Sequence, residues 1–186
     1  MIKEKEWGRG HMNGMGILAL VIGNLCSLCA MITDSISSTR KTAKGVLMVQ
    51  NVSQVFYFLG SIVLKGYSSA VQNAVSFLRN CLAIANISGK WVQWVMVLLG
   101  VGLGVYFNNL GLVGWLPILA NLAYTLAVFR FKDNDVALKI VFAICVAMFC
   151  VFNVFILNFV GVASNFVVMM TAVIWLIKNK KQGAAE

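Results

Sequence analysis

Two polar stripes carry most of the chemistry available to this chain. Gln50, Gln54, Tyr57 and Ser61 recur at i, i+4, i+7 and i+11, and Ser69, Asn73, Ser76 and Asn80 repeat that spacing. On a helix, such spacing puts each set on one face. An unpaired amide in an apolar medium costs several kcal/mol, so both faces must point into a bundle or a wet cavity. There they either bind a small polar solute or hydrogen-bond one helix to the next. Asn24, Asn121, Tyr124, Asn153 and Asn165 are single polar groups better suited to interhelical bonding, with Asn121 and Asn153 kept as candidate solute contacts.

Arg79 is the one charge well inside an apolar segment, about eight residues, or about 12 Å, from the end of its run. A central arginine costs roughly 2.5–3.5 kcal/mol on insertion scales. It either snorkels to the cytoplasmic surface or contacts an anionic ligand or lipid headgroup. The six acidic residues (Glu4, Glu6, Asp34, Asp133, Asp135, Glu186) read as tail or loop residues, and His11 precedes the apolar segments. That leaves no carboxylate pair, Ser-His-Asp arrangement, proton relay or histidine metal site in the apolar part. The expectation is a protein with no catalytic residue, no metal and no cofactor, and not an enzyme.

Gly100, Gly102 and Gly104 are not a phosphate loop, since no strand precedes them. Gly100 and Gly104 instead form a GxxxG pair suited to close helix packing. Cys26 and Cys29, in a C-x-x-C, read with Cys81, Cys145 and Cys150 as small packing residues. Trp91, Trp94 and Trp115 lie near run ends, as interface anchors do.

The elements that hold these groups follow from composition. Of 186 residues, 60% are apolar and 11% charged, with a mean hydropathy of +0.86. A water-soluble surface needs far more charge. The segments 15–33, 45–64, 67–87, 91–107, 110–129, 136–157 and 159–177 are each apolar and about the length needed to cross a bilayer. None alternates as a barrel strand would. The expected fold is all-α, a polytopic membrane protein of seven helices. The basic start and apolar run of residues 1–30 resemble a signal peptide, but no A-x-A site follows, so a retained first helix is expected.

Basic residues set the expected orientation. Arg40, Lys41, Lys44, Arg79, Lys90, Arg130, Lys132, Lys139, Lys178, Lys180 and Lys181 fall on one side, eleven against Lys3, Lys5, Arg9 and Lys65 on the other. The N-terminus is therefore expected outside and the C-terminus in the cytoplasm. The net charge of +9 is read as contact with the lipid bilayer, with no nucleic acid as partner.

Loop lengths and basic ends repeat as three helices, an inverting helix, and three more. This gives an N-terminal tail (1–14), a first repeat (15–87), a linker helix (88–109), a second repeat (110–177) and a basic C-terminal tail (178–186). A gapless offset of 97 pairs Asn24 with Asn121 and Phe58 with Phe155. Parallel repeats of this kind place a transporter's site between the halves.

The segments WLPILANLAYTLAVFRFKDN, YFLGSIVLKGYSSAVQNAVSFLRN and FNVFILNFVGVASNFVVMMTAVIWLIK resemble the YgjV family of bacterial inner-membrane proteins, over roughly residues 15 to 178. The layout is more distantly similar to the SWEET and PQ-loop (MtN3-like) transporters. That likeness implies a cavity-lining Asn in each third helix, which Asn73 matches and Met170 does not, and helix prolines, which Pro117 matches and Leu20 does not. The resulting expectation is a small-solute transporter or facilitator of the inner membrane, its site drawn from Gln50, Gln54, Tyr57, Ser69, Asn73, Ser76, Asn80, Asn121 and Asn153. The alternative is a non-transporting scaffold, lipid-binding module or complex subunit.

Overall fold

The computed structural model describes residues 16–38, 43–87, 89–130 and 135–182. Among the described residues there are seven helices and no strands. They are α1 (Ile17–Ser38), α2 (Ala43–Val63), α3 (Tyr67–Ile84), α4 (Lys90–Tyr106), α5 (Trp115–Arg130), α6 (Asp135–Phe155) and α7 (Phe159–Gln182). Glu4, Glu6, His11, Arg40, Lys41, Lys132, Asp133 and Glu186 lie outside the described residues.

Among the described residues one helix, Ile17–Ile36, is both long and apolar enough to cross a membrane. Leu47–Val63, Lys90–Tyr106, Trp115–Ala127, Ile140–Phe155 and Phe159–Ile174 are shorter apolar helices. Many buried residues are small or polar, and many large apolar side chains are exposed. Ala30, Ala120, Ala127, Ser27, Ser53 and Ser69 are buried, while Leu18, Leu98 and Val167 are 72%, 69% and 60% exposed. Small residues let helices approach closely.

The helix ends have local causes. α2, α3 and α6 stop at a left-handed residue that is not glycine: Lys65 (φ 55°), Asn86 (φ 59°) and Leu157 (φ 58°). Each closes the same double hydrogen bond. Gly66 N donates to Ser61 O (2.7 Å) and Lys65 N to Ile62 O (3.0 Å); Asn158 N donates to Asn153 O (2.9 Å) and Leu157 N to Val154 O (3.2 Å). This is the Schellman arrangement, and it satisfies carbonyls that the helix end leaves free. Asn158 then caps α7, its Oδ1 accepting from Gly161 N at 2.9 Å. The two turns match at Lys65 and Leu157, whose numbers differ by 157 − 65 = 92, so the gapless offset of 97 does not carry through the second helix.

Four boundaries differ from the sequence expectation by three residues or more, the first being α1, which runs to Ser38 and not to 33. α5 begins at Trp115, not at 110, because Asn108 Oδ1 accepts from Leu110 N (3.1 Å) and its Nδ2 donates to Gly111 O (2.8 Å), folding 108–114 into a turn. Pro117 falls in the first turn of α5, where no backbone N–H is needed. α3 ends at Ile84, which puts Arg79 five residues from its end instead of eight. α7 continues through Lys178, Lys180 and Lys181.

Neighbouring helices form a closed circuit: α1 on α2, α2 on α3, α3 on α5, α5 on α6, α6 on α7, and α7 back on α1. α4 lies against α3 and α5. At one end of the bundle Leu64, Leu110, Phe152 and Ile156 form a buried apolar cluster that joins the turns after α2, α4 and α6. Asn109 Nδ2 donates to Lys65 O (2.8 Å) beside it. Asn24 of α1 donates from Nδ2 to Leu157 O (3.0 Å) and accepts from Val160 N (3.0 Å), tying α1 to the α6–α7 turn.

Candidate functional site: the cavity between α3, α4 and α5

A cavity of about 240 Å³ lies where α4 leans across α3 and α5. Gln72, Val75, Arg79 and Leu82 project into it from α3, Met96, Val97 and Gly100 from α4, and Ile118, Asn121 and Tyr124 from α5. Gln72 and Arg79 are seven residues apart, two helical turns on one face, so the cavity runs along about 10 Å of α3. Its inner end is polar: Gln72 Nε2 donates to Gly100 O (2.8 Å) and Asn121 Nδ2 donates to Gln72 Oε1 (2.6 Å). Thr125 Oγ1 is engaged by Asn121 O, to which it donates at 2.7 Å. The other end reaches Ala83 and Ile87, both exposed, at the turn after α3.

The glycines of α4 explain the close approach. A Cβ on Gly104 would sit 2.6 Å from Gln72 Nε2 and 2.9 Å from Ile118 Cγ1; one on Gly100 would sit 3.3 Å from Gln72 Oε1. A Cβ on Gly102 meets nothing within 4 Å. Gly100 and Gly104 thus face the bundle, as the GxxxG spacing expects.

Arg79 and Asn121 are the two sequence-derived candidates in this cavity. Gln54 and Asn73 line a second, shallow cavity of about 330 Å³ between α2 and α3, walled by Val55, Phe58, Phe77 and Leu78. Asn73 Nδ2 donates to Ser61 Oγ (3.4 Å), and Ser61 Oγ to Ser69 Oγ (3.3 Å), so part of the two stripes joins α2 to α3. Gln54 Oε1 is buried with no hydrogen-bond partner. Gln50 contributes its backbone oxygen to Ser53 Oγ (2.8 Å). Asn153 Oδ1 accepts from Asn158 Nδ2 (3.2 Å) at the α6–α7 turn, far along the chain from both cavities. Asn80 is buried and Ser76 half-buried on α3, and neither lines either cavity.

Asp34 is a correction. The sequence assigns it to a loop, whereas it lies in α1, inside the Ile17–Ile36 span. Its carboxylate accepts from Ser53 Oγ and is hydrogen-bonded to Tyr57, whose hydroxyl also meets Ser164 of α7. A carboxylate therefore does sit among the helices, sheltered by hydroxyl groups from α2. Thr33-Asp34-Ser35 reads as a break because its partners are distant in sequence.

Gln72 was missed for a similar reason. It falls between the members of the Ser69–Asn73–Ser76–Asn80 stripe, and only its seven-residue spacing from Arg79 signals a shared face.

The family model Imp-YgjV, described as a bacterial inner membrane protein, matches residues 21–183. The chain belongs to that family. No curated protein and no solved structure matches it. Leu18, Leu98 and Val167 are exposed on the outside of the bundle, and α4 packs over the polar inner end of the cavity.

Proposed function

We propose that this chain is a small-solute transporter or facilitator whose solute site is the cavity between α3, α4 and α5. The observation that carries this is a cavity of about 240 Å³ whose walls are apolar and whose inner end holds the Gln72–Asn121 hydrogen bond. Binding sites are typically apolar clefts with a few convergent polar groups. In this reading all seven helices span the inner membrane as two parallel three-helix halves with α4 as the inverting link. Two observations support the halves. Exchanging α1 with α5 and α3 with α7 turns the α1–α7 contact into the α5–α3 contact, and both contacts exist. The links from α2 to α3 and from α6 to α7 also match, each three residues long with a left-handed middle residue, Lys65 or Leu157. The cavity then lies on the boundary between the halves, where repeat-built transporters bind their solutes.

Counterflow in proteoliposomes tests the proposal with a panel of small solutes. Val97→Trp fills the cavity and is expected to abolish exchange; Leu98→Trp, on the exposed face of α4, is expected to leave it intact. Equal exchange in both variants refutes the site, and no exchange of any solute favours the scaffold alternative. The basic-residue bias further predicts that alkaline phosphatase is active when fused after Asn109 and inactive after Lys181.

A further inference from the structure

We propose that the cavity takes a small molecule with one anionic group on a mostly apolar body, with Arg79 as its counter-ion. This rests on the cavity being the solute site. Arg79 is the one charged residue that lines it, and no described carboxylate pairs with that guanidinium. Tyr124 faces it from α5. Asp34, the carboxylate held among the helices, is engaged with Ser53 and Tyr57 of α2. A cation held among helices with no counter-charge among the described residues calls for an anion, and a guanidinium presents the planar fork that fits a carboxylate or phosphate.

The remaining walls define the rest of the ligand. Val75, Leu82, Met96, Val97 and Ile118 surround the space between Arg79 and Gln72, so the body that follows the anionic group is apolar. Asn121 Oδ1 and the second N–H of Gln72 are left to meet one uncharged polar group at the far end, since Gln72 Oε1 and its first N–H are engaged. The cavity exceeds the roughly 150 Å³ that accommodates a benzene ring, which leaves room for a ring or short chain plus the anionic group. Two sources share this chemistry: a free organic acid, or a lipid whose anionic headgroup reaches Arg79 past Ala83 and Ile87.

The test uses the full chain in nanodiscs of phosphatidylcholine alone, titrated with 3-phenylpropionate and with 3-phenylpropanamide while thermal stability is followed. The acid is expected to stabilise the protein at a concentration at least tenfold below the amide. Arg79→Met, which removes the unpaired charge, should lose that preference, and Arg79→Lys should keep part of it. In nanodiscs containing phosphatidylglycerol, native mass spectrometry identifies the lipid source. Phosphatidylglycerol retained by the parent protein, lost in Arg79→Met and displaced by 3-phenylpropionate, assigns the anion to a headgroup. A parent protein that treats acid and amide alike and holds no more phosphatidylglycerol than Arg79→Met overturns the proposal. Solute counterflow blocked by Val97→Trp but indifferent to charge would retain transport and remove the anion. Acid preference without counterflow would do the reverse.

Discussion

Replacing Gly104 with alanine should separate close helix packing from simple apolar filling. The added Cβ would lie 2.6 Å from Gln72 Nε2 and 2.9 Å from Ile118 Cγ1, so the Gln72 amide must move. That amide donates to Gly100 O at 2.8 Å and accepts from Asn121 Nδ2 at 2.6 Å. Interhelical hydrogen bonds in membranes average about 0.6 kcal/mol, so losing both costs about 1.2 kcal/mol. Overpacking adds about 1–3 kcal/mol, and the better helix propensity of alanine returns at most about 1 kcal/mol. The net destabilisation is about 1–3 kcal/mol. Gly102→Ala is the control: its Cβ meets nothing within 4 Å, so only the propensity gain remains, up to about 1 kcal/mol of stabilisation. Reversible unfolding in mixed micelles, followed by circular dichroism, measures both. Stabilities within about 0.5 kcal/mol of each other, a spread typical of surface substitutions, would refute the packing of α4 described above.

Asn24→Ala removes the donor to Leu157 O and the acceptor of Val160 N; it should cost about 1–3 kcal/mol, because the Val160 N–H is left unpaired, and thermal unfolding in detergent checks this. Lys65→Gly relieves a left-handed residue at φ 55° and should stabilise by about 1 kcal/mol in the same assay. Phe152→Ala, at a fully buried position, leaves a void of about 100 Å³ and should cost about 2.4 kcal/mol from the cavity alone. A double-mutant cycle of Tyr57→Phe with Ser164→Ala should give a coupling of about 0.6 kcal/mol; no coupling would mean that these hydroxyls do not join α2 to α7.

The helices were legible in the sequence because each apolar run is long and bounded by polar or glycine residues. Six of the seven expected starts agree with the structure within two residues, and α5 departs because its start depends on Asn108 folding back on Leu110 and Gly111. Arg79 and Asn121 were visible as isolated polar groups in apolar surroundings. Their meeting with Gln72 was not, because it depends on how far α4 and α5 approach α3, and spacing along one helix carries no information about that distance. The stripe rule picks residues sharing a face; it does not say which face meets a cavity and which meets another helix. Ser61 and Ser69 illustrate the second outcome, and Asn73 shows both, lining the second cavity while donating to Ser61. Asp34 was hidden because its partners, Ser53 and Tyr57, belong to the next helix.

The clasp made by Asn24 also sets a timetable for synthesis. Its partners Leu157 and Val160 are 133 and 136 residues further on. At roughly 5–20 residues per second, a ribosome needs roughly 7–27 s to reach them. During that interval α1 carries an amide whose later acceptor does not exist. The structure provides an interim partner, since Asn24 Nδ2 also donates to Leu20 O in its own helix at 2.9 Å. One donor is thus satisfied as soon as α1 forms, and the side chain waits half-paired for the last hairpin. The circuit of helices closes only when α7 arrives, so nascent chains truncated before Leu157 should be retained by the insertion machinery or degraded rather than released as finished bundles.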